Sequence, residues 1–215
     1  SRLLLRREDK AYVDYQEADE TFFTKDNRFF YTISDKDGYR HIYQHRMDGT
    51  VARQITKGNW DVTQFYGVDE VRGTVYYQSA ESSPLSRDIY SIDAKGKKVR
   101  LTDGKSMNTA TFCTRFNYYI LTRSTISEPD IVSVHTNNGQ VLRVLESNSE
   151  LKERFDKLGL ANKEFFNFKT SEGISLNGWM LKPADFDPNR RYPVLMVQYS
   201  GPGSQQALNR WNIGW

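Results

Sequence analysis

Phe29-Phe30-Tyr31-Thr32-Ile33-Ser34 is echoed by Val75-Tyr76-Tyr77-Gln78-Ser79-Ala80 and by Tyr119-Ile120-Leu121-Thr122-Arg123-Ser124. All three are aromatic and β-branched stretches suited to a pleated, packed surface. Each leads through a polar loop to a second strand, Ile42-Tyr43, Ile89-Tyr90 or Ile131-Val132. A turn follows (Met47-Asp48-Gly49, Asp93-Ala94-Lys95-Gly96, Asn137-Asn138-Gly139), then a strand ending in Ile55-Thr56, Leu101-Thr102 or Leu145-Glu146. Successive end pairs lie 46 and 44 residues apart. Trp60-Asp61-Val62 and Met107 to Phe112 fill the gaps as the innermost strands of the following units. About four short strands per repeat, at a period in the mid-forties, mark propeller blades. One such sheet cannot cover its own faces, so blades must stack. Asp-Gly and Asn-Gly fall where tight hairpins need positive φ.

The chain of 215 residues has room for a large core, or for one domain and part of another. Its 38% hydrophobic content is low, so the 13% aromatic share must supply much of that core. Thirty basic and 27 acidic residues, spread without long runs, leave a net charge of +3. That balance gives no reason to expect nucleic acid or an anionic membrane as partner. Cys113 is the single cysteine, so neither an internal disulfide nor a cysteine-based metal site can form. No stretch approaches the roughly 18 apolar residues of a membrane helix. The sequence opens without an initiator methionine or signal peptide and stops at Trp215, which is expected of a section of a longer protein.

Three segments are expected: a partial β-propeller over 1–147, a linker helix within 148–162, and the start of a second domain over 163–215. Arg2 to Arg7 is a further strand candidate. Leu151, Phe155 and Leu158 make an i, i+4, i+7 stripe that predicts the helix, with Asn148 or Ser149 as cap and Gly159 as stop. Phe165 to Thr170 and Ile174 to Lys182 read as a hairpin around Ser171-Glu172-Gly173. Val194 to Val197, entered through Pro193 and ended by Gly201-Pro202-Gly203, reads as a strand buried on both faces of a parallel sheet. Tyr199 then stands at its carboxyl end, where open α/β sheets place their chemistry. By position alone, a packed ring with a solvated hydroxyl is the simpler reading.

Gly38-Tyr39-Arg40-His41-Ile42, Ile55-Thr56-Lys57-Gly58-Asn59-Trp60-Asp61-Val62, Arg143-Val144-Leu145-Glu146-Ser147-Asn148, Arg191-Tyr192-Pro193-Val194-Leu195 and Tyr199-Ser200-Gly201-Pro202-Gly203-Ser204-Gln205 together resemble the dipeptidyl peptidase IV family of the prolyl oligopeptidase clan. The match spans most of residues 22–215. It implies a mainly β chain: late blades of an eight-bladed propeller followed by the first strands of an α/β-hydrolase domain. The implied activity is that of a serine exopeptidase releasing X-Pro or X-Ala dipeptides from peptide amino termini. Tyr199 matches the family's phenol donor to the oxyanion, and Gln205, after the same turn, is a candidate substrate-binding residue. Gly203 departs from mammalian members, which carry a cysteine there. The resemblance also implies peptide substrates with Pro or Ala second, a homodimeric parent, and a periplasmic or extracellular location. Neither a cofactor nor a metal is called for.

A hydrolase of this kind presents its serine on a G-x-S-x-G elbow, followed by an acid and a histidine. No G-x-S-x-G occurs here, and His41, His45 and His135 all lie in the propeller repeats. The family's paired glutamates that hold the substrate amine belong to an earlier blade. The chain alone is therefore expected to be inactive. A non-catalytic propeller platform, or another member of the same clan such as an acylaminoacyl- or oligopeptidase, are the alternatives. His41 and His45 are four apart, a zinc spacing only on a helix. Glu81 and Asp88 are read as a solvated loop, Lys95 to Arg100 as a solvated turn, and Cys113 as a small core residue. Cut blade edges and an uncovered Val194–Val197 are expected to make the chain self-associate.

Overall fold

The computed structural model describes residues 3–8, 10, 21–199, 201 and 203–212. Its first twelve strands form three antiparallel four-stranded sheets, each in sequential order. The first blade is β1 (Phe22–Phe23), β2 (Phe29–Ser34), β3 (His41–Arg46) and β4 (Val51–Gln54). The second is β5 (Val62–Asp69), β6 (Thr74–Ser79), β7 (Asp88–Ile92) and β8 (Lys98–Arg100). The third is β9 (Met107–Phe112), β10 (Tyr118–Ser124), β11 (Ile131–Thr136) and β12 (Val141–Glu146). The repeat read from the sequence is the repeat that folds: Met107 to Phe112 is the first strand of the third blade, whereas Trp60 and Asp61 precede the first strand of the second, which begins at Val62.

One turn recurs in all three. Gly49, Gly96 and Gly139 have φ of 91°, 88° and 92°. Their N–H groups donate to Arg46 O, Asp93 O and Thr136 O at 2.8–2.9 Å, while the N–H groups of those same residues donate to Thr50 O, Lys97 O and Gln140 O. This is a three-residue hairpin loop, a turn followed by a left-handed residue. Only the glycine carries positive φ; Asp48 and Asn138 do not.

Packing follows the strand alternation. Tyr77, Tyr90, Ile92 and Val75 of the second blade meet Tyr31, Ile33 and Ile42 of the first. Tyr76 and Ile89, on the other face, meet Ala110, Tyr119 and Leu121 of the third. The second blade is thus covered on both sides, and β6 is almost wholly buried. By contrast, all six residues of β12 are exposed.

The strand registers put the turns after β3, β7 and β11 at one end of the blades. The loops β2–β3, β6–β7, β8–β9 and β10–β11 fall at the other. The helix α1 (Ser149–Lys157) follows β12, and β13 (Lys163–Lys169) pairs with β14 (Ser175–Leu181) as a separate hairpin. Asn148 occupies the N-cap position in a left-handed conformation and makes no side-chain cap. Its Nδ2 donates instead to Asp130 O at 2.6 Å, tying the helix start to the third blade. Helix α1 buries no residue completely, but Phe155 meets Trp211 edge-on at 4.7 Å.

Three expectations need correction. Residues 3–7 form no strand, and Arg2 lies outside the described residues. Residues 191–199 form no strand either: Val194 is 90% exposed and Val197 58%. A doubly buried strand needs ladders on both edges, and among the described residues no strand lies beside this segment. Cys113 is exposed rather than buried. It starts the β9–β10 turn, where its N–H donates to Tyr118 O and its carbonyl accepts from Phe116.

Candidate functional site

The histidines are structural. His41 is buried; its Nε2 donates to Gly58 O at 2.9 Å and its Nδ1 lies 3.1 Å from Thr56 Oγ1. His45 is buried against Phe30 and contacts Thr32 Oγ1 at 3.0 Å through Nε2. His135 is buried against Tyr119 and contacts Ser133 Oγ at 2.8 Å. With both ring nitrogens of each engaged inside a blade, none is offered to a metal or to a proton-transfer chain. Among the described residues no group of three or more His, Cys, Asp or Glu is placed to hold a metal ion.

Asp88 departs from the solvated-loop reading. It is fully buried and accepts from Thr102 Oγ1 at 2.6 Å and from the Gly104 N–H at 2.9 Å. It fills the place that His41 fills one blade earlier, where Thr56 and Gly58 are the partners. Glu81 pairs with Lys98 rather than with Asp88. Lys98 also lies over the rings of Trp60 and Tyr90. This is hairpin packing with no acid–base pair.

Tyr199 is 67% exposed. The ring lies over Gly201: a Cβ there would come within 3.0 Å of the Tyr199 hydroxyl and Cε1. The Ser204 N–H donates to Gly201 O at 3.1 Å and closes the turn behind it. Gly203, in that turn, has φ of 71°. A left-handed residue without nearby atoms is strained by any side chain but not blocked by one.

Gln205 points to the propeller. Its Nε2 donates to Pro84 O at 2.6 Å, and its Oε1 accepts from Arg87 Nη2 at 2.5 Å. Four residues on, the Asn209 N–H donates to Leu85 O at 2.7 Å. Asn209 Nδ2 donates to Lys105 O at 2.6 Å, and Asn209 Oδ1 accepts from the Ile126 N–H at 2.8 Å. The Trp211 N–H lies 3.3 Å from Ser124 Oγ. Residues 205–211 therefore run along the loop end of the second and third blades. Arg123 braces that same surface, reaching Asp103 at 3.2 Å and Glu128 at 3.1 Å. Burial pushes the Asp103 carboxyl up, but hydrogen bonds from the Lys105 N–H and Ser106 and the Arg123 charge hold it, on balance, below its usual range. None of Arg87, Asn209 or Ser124 stood out in the sequence, because their partners are remote in the chain and of ordinary type.

The comparisons with known proteins agree with this architecture. Residues 1–130 match the family described as dipeptidyl peptidase IV (DPP IV) N-terminal region. A probable dipeptidyl peptidase 4 of Emericella nidulans is 31% identical over 186 residues, which is 85% of this chain and 24% of that protein. Dipeptidyl peptidase 4 of Trichophyton rubrum is 31% identical over 188 residues, 86% of this chain and 24% of its own length. The chain thus spans about a quarter of these curated relatives. The crystal structure of Porphyromonas gingivalis dipeptidyl peptidase 4 superposes with a TM-score of 0.94 at 47% identity, over 100% of this chain and 30% of that one. A match over more than half of the chain, blade order included, places it: the protein belongs to the dipeptidyl peptidase IV family of peptidases.

Proposed function

We propose that this chain is the section of a serine exopeptidase in which the last propeller blades hand over to an α/β-hydrolase domain, and that Tyr199 supplies one donor of the oxyanion hole. The parent enzyme would release X-Pro or X-Ala dipeptides from peptide amino termini. The observation that carries this is the presentation of Tyr199: an exposed phenol, its ring seated on Gly201, on a segment held by the propeller from Gln205 onward. As the serine attacks the scissile carbonyl, charge collects on the carbonyl oxygen. The phenol O–H donates to that oxygen more strongly in the tetrahedral intermediate than in the ground state.

The relatives' names support the substrate class, and the sequence carries no G-x-S-x-G, so this chain alone is proposed to be inactive. The parent is proposed to be a homodimer acting on the periplasmic or extracellular side. In the full-length protein, Tyr199→Phe should lower kcat for a glycyl-prolyl substrate by about 10²–10³, the worth of one oxyanion donor. Unchanged turnover would end the oxyanion role of Tyr199.

A further inference from the structure

The hydrogen bonds of Gln205 and Asn209 have a purpose beyond covering a surface. Asn209 satisfies backbone groups of three separate loops: Leu85 in β6–β7 through its own N–H, and Lys105 in β8–β9 and Ile126 in β10–β11 through its side-chain amide. Gln205 adds Pro84 and Arg87 on the first of these. The partners lie 83 to 124 residues away in sequence and belong to the two blades that close on each other through Tyr76, Ile89 and Tyr119. Between Gln205 and Tyr199 there are five residues, two of them the described glycines of the turn. A segment with no strand ladder of its own is thus fixed at one point only a short reach from the phenol.

We propose that Asn209, assisted by Gln205, is a positioning residue: it tethers the Tyr199 segment to the second and third blades, so that propeller and phenol form one rigid body. This rests on the oxyanion role of Tyr199 for its kinetic consequence, but not for its structural one. The alternative is that residues 205–211 merely fill the blade end, and that Tyr199 is placed by other parts of the protein.

Two measurements separate these. In the 215-residue chain, Asn209→Ala keeps the backbone N–H bond to Leu85 O but removes the acceptor of the Ile126 N–H, so hydrogen–deuterium exchange should speed up about tenfold or more in peptides covering 203–212 and in the loop 125–130, while β6 and β10 keep their protection. This readout involves no catalysis. In the full-length protein, Asn209→Ala should lower kcat about 10-fold with KM nearly unchanged. In a Tyr199→Phe background the same change should cost nothing further, because the donor it positions has gone. Gln205→Ala, an exposed change that leaves the blades intact, should show the same pattern more weakly. Losses that multiply independently of Tyr199, or unchanged exchange in 203–212, would overturn the tether. Undiminished turnover in Tyr199→Phe alone would instead overturn the oxyanion role and leave the exchange result standing.

Discussion

His45 and His135 fill one position in two different blades, each stacked on the aromatic residue opposite it and each four residues ahead of the turn glycine. Ile92 holds that position in the second blade. The site therefore selects a flat or branched filler. Burial pushes His45 below its usual value of 6.5; a hydrogen bond to Gly49 O opposes this, and the Lys36 and Arg7 charges add to it. Because the unfolded chain takes up the proton first, this contribution to stability is whole above pH 6.5 and is lost as pH falls toward the folded value. Urea unfolding should show a lower midpoint at pH 5 than at pH 7, with the slope flattened in His45→Gln. An unchanged slope would assign the acid sensitivity elsewhere. At this scale the sequence was partly legible. Histidines in strands read correctly as blade residues, but the burial of Asp88 did not, since its Thr102 and Gly104 partners are set by a hairpin return. Asn209 could not be found at all, because an asparagine bonded to remote carbonyls leaves no periodic trace.

Elements were legible wherever they repeat. Three units with one strand order specify their own register, because each alternation of faces must match a neighbour's. The recurring turn makes this testable. Gly96 has φ of 88°, and a methyl group there would meet only the movable end of the Arg53 side chain. Gly96→Ala should therefore cost only backbone strain, about 1–2 kcal/mol by urea denaturation, and Gly96→Asn less. A neutral alanine would mean that the loop can change type. Where no repeat supports it, an apolar run is ambiguous. Val194 to Val197 has a strand's composition, yet composition alone does not supply the neighbouring ladders. The cap of α1 failed for a related reason: Asn148 spends its amide on Asp130, in the blade before it.

For the whole molecule, the second blade is sealed on both faces, whereas β12 and residues 194–197 leave Val141, Leu142, Val144, Leu145 and Val194 to Val197 in contact with water. Apolar surface beside an edge strand promotes pairing with another chain. Light scattering on the isolated 215-residue chain should show association that grows with concentration, and Val194→Lys with Met196→Lys should reduce it. A monodisperse monomer at high concentration would contradict this. No helix among the described residues is long and apolar enough to cross a membrane. The stacking of blades was readable because it follows from the period. The attachment of the final segment to the blade loops was not, because it joins residues about a hundred positions apart through ordinary polar side chains.

The placement of Cys113 has a practical use. It is the chain's sole thiol, it is solvent-facing, and it starts the β9–β10 turn at the end of the blades away from the loops that hold Asn209. Burial pushes that thiol upward, but the backbone groups of Tyr118, Arg115, Asn117 and Phe116 outweigh it and hold the thiol below its usual value. A maleimide dye would therefore attach at one known spot without mutagenesis, at the blade end opposite the Asn209 contacts. Paired with a quencher near residue 206, it would give a built-in ruler for watching the two ends of the blades move relative to each other.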